Sequence, residues 1–153
     1  MSKADEIHEE LYLRGHENEA LAAWQKLAAE GDVEAMSMLG AIYWEELGDY
    51  SESIRWFGNA ISAGDLDSRY WISFPLIELG QFEDAESALL SAVDTKHPEA
   101  IIGLTNLYRN QLRAADQAER FLLNQANSGL LRAKVLLVDL YLEQNKSELA
   151  RNL

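Results

Sequence analysis

Small and large apolar residues recur along the chain in two interleaved registers. Ala35, Ser68, Ala100 and Ala133 form the first, at spacings of 33, 32 and 33 residues. Each is followed four residues later by Leu39, Ile72, Leu104 or Leu137, and eight residues later by Tyr43, Leu76, Tyr108 or Tyr141. The second register, about half a period away, is Ala20, Ser53, Ala85, Ala118 and Ala150, with Trp24, Phe57, Leu89 and Leu122 four residues after its first four members. Two independent registers sharing one period mark a repeat protein. Within each unit the apolar spacing is that of one face of an α-helix. The pattern predicts helices over 3–14 and 17–30, 32–46 and 50–63, 66–79 and 82–95, 98–111 and 114–128, another near 130–144, and a short last one from about 147. No strand pattern competes. The expected organisation is one all-α repeat domain over 1–153, with helix pairs at about 3–30, 32–63, 66–95 and 98–128 and a partial pair at 130–153.

Local signals agree with these elements. Small residues in both registers let neighbouring helices approach closely, and the aromatic or leucine one turn later fills the groove beside them. Trp24, Phe57, Leu39 and Leu89 are therefore expected in the core. Gly31, Gly64 and Gly129 fall just beyond a second helix, where a left-handed residue closes the C-terminus; the third unit has Lys96 there instead. Asp32 and Asp65 are expected N-caps, Pro98 suits a first turn, and Asp49 with Glu52 has capping-box spacing. Pro75 lies inside a predicted helix, where the carbonyl of residue 71 loses its partner, so a kink is expected.

The segments Ala35–Tyr43 (AMSMLGAIY) and Ala20–Asp32 (ALAAWQKLAAEGD) resemble the first and second helices of a Sel1-like repeat, and the short turn at Leu47-Gly48-Asp49 is similar to that of a tetratricopeptide repeat. The likeness spans almost the whole chain, with a degenerate third unit. It implies a right-handed superhelical solenoid of antiparallel helix pairs whose first helices line a concave face. On that face the family pattern implies side chains at offsets of two, six and nine from each Ala35-type residue. These are Ser37, Ala41 and Trp44, then Tyr70, Phe74 and Ile77, then Ile102, Asn106 and Arg109, then Val135, Asp139 and Leu142, with Tyr12 in the Trp44-type place of the first pair. Trp44, Tyr70, Phe74 and Ile77 would form an apolar patch with Asn106 and Arg109 beside it. Large aromatics next to arginine have the composition of an interaction hot spot. The alternative is that single members are ordinary core residues.

Composition removes several function classes. The chain has 153 residues and no cysteine, so disulfides, thiolate metal sites and cysteine nucleophiles are out. A formal net charge of −13 repels phosphate and argues against nucleic-acid binding. The start, Met-Ser-Lys-Ala-Asp-Glu, has no apolar signal region, and no run approaches ~18 apolar residues, so a soluble cytoplasmic protein without membrane attachment is expected. His8, His16 and His97 do not have the spacing of a helical zinc site. The DLDS segment at 65–68 lacks the third acid and the glycine of a calcium loop. No phosphate-binding glycine motif occurs, and no serine has a histidine at a recognisable spacing. The expectation is a protein that is not an enzyme, with no cofactor and no metal. A hydrolase hidden in the groove is the rival class. Charge also divides unevenly: residues 1–50 carry −9, residues 51–100 carry −6 and residues 101–153 carry +2. A partner with a basic surface would be steered to the acidic portion; the alternative is that this charge only maintains solubility.

The segment Leu130–Leu142 (LLRAKVLLVDLYL) is apolar around most of its circumference, and the short helix after it makes a poor polar cap. A homodimer through Leu136, Leu142, Leu149 and Leu153 is one expectation; a self-capped monomer and a chain cut from a longer array are the others. The functional expectation is a non-catalytic protein–protein interaction module that holds a peptide or protein in its groove as an adaptor or regulatory subunit. The alternative is an immunity protein or secretion chaperone masking a basic toxin or secreted client.

Overall fold

The computed structural model describes residues 2–152, and among them every regular element is helical. In chain order these are α1 (Lys3–Glu10), α2 (Glu17–Ala29), α3 (Val33–Glu45), α4 (Tyr50–Ser62), α5 (Ser68–Trp71), α6 (Ser73–Glu78), α7 (Phe82–Asp94), α8 (Ala100–Asn106), α9 (Ala115–Asn127), α10 (Leu131–Glu143) and α11 (Ser147–Arg151). A 3-10 turn at Tyr12–Arg14 follows α1, and a π turn at Leu107–Gln111 extends α8. Repeated helix pairs are thus what the periodicity predicts. The chain divides at His97 and Pro98 into two compact units, a division that the repeat period alone does not mark.

In the first unit, α1 packs on α2, α2 on α3, α3 on α4, and α4 on both α5 and α6, which in turn pack on α7. Ala4, Ala20, Ala35, Ser53, Ser68 and Ala85 are fully enclosed along these seams, and Trp24, Leu39, Phe57 and Leu89 fill the space between them. The expected core residues are core residues. The polar groups among them are satisfied: Trp24 Nε1–H donates to the Ala4 carbonyl at 3.1 Å, and Ser53 Oγ–H donates to the Gly40 carbonyl at 2.7 Å. In the second unit, α8 and the π turn pack on α9, α9 on α10 and α10 on α11, around Ala100, Leu104, Ala118, Leu122, Ala133 and Leu137.

The ends of the second helices follow one hydrogen-bond scheme. Gly31 (φ 94°) lets Asp32 N–H reach the Leu27 carbonyl at 3.1 Å, and Gly64 (φ 103°) lets Asp65 N–H reach Ala60 at 2.9 Å. Lys96 adopts the same left-handed conformation at φ 62°, with His97 N–H on the Ala92 carbonyl at 2.9 Å. Asp32 caps α3 through the Ala35 amide at 2.9 Å, as expected. Asp67 directly precedes α5, which starts at Ser68, but the Asp65 carboxylate accepts the Ser68 amide as a cap would and takes further donors, among them Ser37 Oγ–H of α3. Asp49 accepts from the Glu52 amide at 3.1 Å, but Glu52 turns to Arg55, so this pair is half of a capping box. Pro98 precedes rather than enters α8, which begins at Ala100. The expected kink at Pro75 is an interruption one turn earlier, at Ile72, which separates α5 from α6 while keeping near-helical dihedrals (φ −62°, ψ −22°), and Ser73 Oγ–H donates to the Tyr70 carbonyl at 2.6 Å.

Candidate functional site

An aromatic cluster of the first unit surrounds the junction of α5 and α6. Trp44, near the end of α3, stacks on Phe74 of α6 with ring centroids 4.7 Å apart and planes at 21°. Tyr70 of α5 meets Phe74 edge-on at 5.1 Å. On its other side Tyr70 stacks on His97 at 4.2 Å and 16°. Trp71, the last residue of α5, contacts Tyr70 edge-on at 5.1 Å and Phe74 at 5.8 Å. Three helices and the turn after α7 thus supply one continuous aromatic cluster. Trp44, Tyr70, Phe74 and Ile77 are half-buried, and Trp71 keeps 41% of its surface exposed.

A polar anchor holds the start of α5 beside this cluster. Ser37 Oγ–H, on α3, donates to Asp65 Oδ2 at 2.7 Å, and Ser68 Oγ–H donates to the same oxygen. The Asp67 amide reaches Asp65 Oδ1 at 3.2 Å. Burial pushes the Asp65 carboxyl up, but the hydrogen bonds from Ser68, Ser37 and the two backbone amides outweigh it and hold the group below the ordinary carboxylate range. The anchor is charged and fixed, and it ties the rings of α5 to α3.

The other residues picked out by sequence lie as follows. Ala4 takes the enclosed small-residue place of the first pair, so Tyr12 falls eight residues after it, the place of Tyr43, Tyr108 and Tyr141 rather than that of Trp44. Its ring stacks on His8 at 5.4 Å and lies 5.6 Å from the ring of Trp24. Burial, then the charges of Glu46, Glu17 and Glu45, raise the Tyr12 phenol above its usual value. Asn106 and Arg109 belong to the second unit; Asn106 is exposed on α8, and Arg109 in the π turn is ion-paired with Glu143. Tyr141 O–H donates to Glu119 Oε1 at 3.1 Å while Lys146 Nζ holds Glu119 Oε2 at 3.0 Å. On α10, Leu136 is half-buried, whereas Leu131, Val135 and Leu142 are exposed on one face; Leu149 of α11 is exposed too. Leu153 lies outside the described residues. The open apolar stripe is therefore set by Leu131, Val135 and Leu142 more than by Leu136.

Trp71 and His97 escaped the sequence reading. Trp71 stands three residues after Ser68, off the offsets that the repeat family implies, and His97 reads as a turn residue. The available signal was Trp71-x-x-Phe74, two rings on one helical face.

Among the described residues, no three His, Asp or Glu side chains gather as a metal site would need, and no helix is long and apolar enough to cross a membrane. No protein-family model matches the chain, and no curated protein matches it. Solved structures do. The chain is similar to a MamA RS-1 ArsTM double mutant at 16% identity, TM-score 0.70, over 97% of this chain and 87% of that one. It is similar to a crystal structure of MamA at 19% identity, TM-score 0.70, over 99% and 90%. A MamA fragment from residue 41 to the end, from Desulfovibrio magneticus RS-1, gives 16% identity and TM-score 0.67 over 97% and 88%. The fold is a tetratricopeptide-type helical repeat fold.

Proposed function

We propose that the chain is a non-catalytic protein–protein interaction module that takes a peptide or protein surface on the aromatic face of its first unit. The observation that carries this reading is the Trp44–Phe74–Tyr70–Trp71 cluster, in which half-buried rings hold an exposed one in place. Rings already ordered by their neighbours lose little freedom when a partner covers them, so their apolar surface is available for affinity. Repeated helix pairs provide such surfaces without a catalytic pocket. The experiment is affinity capture from the native host with wild type and with Trp44→Ala plus Phe74→Ala. The double variant loses the captured partner while keeping its helical circular dichroism. Capture that survives the double substitution in the folded protein overturns the reading.

The charge of the first unit supports a more specific role. Residues 1–97 carry 20 carboxylates and 6 Lys or Arg, a net −14, whereas 98–153 carry +1. A basic partner suits an adaptor, and it equally suits an immunity protein or a secretion chaperone that masks a basic toxin or client. The stripe of Leu131, Val135 and Leu142 supports self-association of the second unit. Light scattering tests this, and a strict monomer at high protein concentration ends it.

A further inference from the structure

Trp71 has a counterpart elsewhere in the first unit. On α4, the Arg55 guanidinium lies 4.4 Å from the Trp56 ring centroid, and Arg55 Nε–H donates to Glu52 Oε1 at 3.1 Å. That is an arginine set against an indole ring and held there by a carboxylate. Around Trp71 the indole and the carboxylates are present without the cation. Asp67, Trp71, Phe74 and Glu78 follow one another at spacings of four, three and four, which places them along one helical side of α5 and α6. Asp67 and Glu78 are exposed, and neither is in an ion pair among the described residues. Among the described residues no Lys or Arg, Arg69 included, is set against the Trp71 ring. The segments that carry the cluster (44–46, 65–78 and 94–97) hold six carboxylates against Arg69 and Lys96.

Resting on the interaction-module reading, we propose that Trp71 is a platform for an arginine side chain of a basic polypeptide, received between Asp67 and Glu78. The ring quadrupole attracts a cation at its face, and a planar guanidinium stacks there while offering its N–H groups to carboxylates. Tyr70, Phe74 and His97 hold the indole from the protein side, and the exposed two-fifths of Trp71 is where the guanidinium lands.

The test uses the full chain and two blocked peptides, one with three arginines spaced by glycine and one with citrulline at the same places, which keeps the shape and removes the charge. The Trp71 indole N–H resonance is assigned with Trp71→Phe. The arginine peptide shifts that resonance and leaves the buried Trp24 signal in place. Binding is about tenfold weaker with citrulline, with Asp67→Asn plus Glu78→Gln, and with Trp71→Leu. Equal affinity for the two peptides, an unmoved Trp71 signal, or unchanged binding by folded Trp71→Leu overturns the proposal. A captured partner that depends on Trp44 and Phe74 yet ignores Asp67, Trp71 and Glu78 overturns it as well, while the interaction-module reading stands.

Discussion

Gly40 shows how closely one residue can be specified by another. A Cβ at position 40 would lie 2.6 Å from Phe57 Cδ1, far inside van der Waals contact, and both residues are buried in the α3–α4 seam. Ser73 and Thr105 stand at the corresponding places of later repeats, in units whose second helices carry Leu89 and Leu122 where this one carries Phe57. Gly40→Ala is expected to destabilise by about 1–3 kcal/mol, as overpacking does. Phe57→Leu should recover much of that loss in the Gly40→Ala background, and thermal melts of the two single variants and the double variant check it. The aromatic at position 57 was visible in the register. The glycine that admits it was not, because a missing side chain leaves no hydrophobic signal.

At the scale of the element, the repeat is punctuated by backbone conformation as regularly as by hydrophobicity. The left-handed residues 31, 64, 96 and 129 close the second helices at intervals of 33, 32 and 33. A further set, Gly15, Gly48, Gly80, Arg113 and Asn145, lies in the turns within the pairs. The third unit keeps this geometry with Lys96, at the steric cost that an L-residue meets there. Lys96→Gly is expected to stabilise by about 0.5–1 kcal/mol, the relief of strain exceeding the extra chain entropy of glycine. Urea unfolding should show a higher midpoint at an unchanged slope. Pro75 was equally legible as a fault in its helix. The fault is confined to Ile72, which stays near helical, so Tyr70 and Trp71, four and three residues before Phe74, both meet its ring. The offsets that the repeat family implies select Tyr70 and Phe74 and pass over Trp71.

For the whole molecule, charge is the property with the longest reach. The first unit is strongly acidic and the second nearly neutral, so a basic partner should be drawn to the first over distances beyond direct contact. Raising ionic strength from about 0.01 to about 0.15 M shortens that reach from about 30 to about 8 Å. The association rate of a captured basic partner is accordingly expected to fall by about tenfold or more, with a much smaller change in dissociation. Stopped-flow mixing across that salt range checks it. An association rate indifferent to salt would leave the acidic surface as a solubility feature.

Period, pairing and the buried seams were written in the sequence, because a helix that must hide one face repeats its apolar residues at a spacing that any reader of the chain can measure. The helix-closing glycines and the proline fault were written there too, being constraints on single residues. The aromatic cluster was legible in part: Trp44, Tyr70, Phe74 and Ile77 follow from the register of first helices. What joins them is tertiary. Asp65, expected to cap α5, also binds Ser37 of α3, and His97 stacks on Tyr70 from the turn after α7. Such contacts form between residues nearly thirty positions apart, where helical periodicity carries no information and packing alone decides which side chains meet.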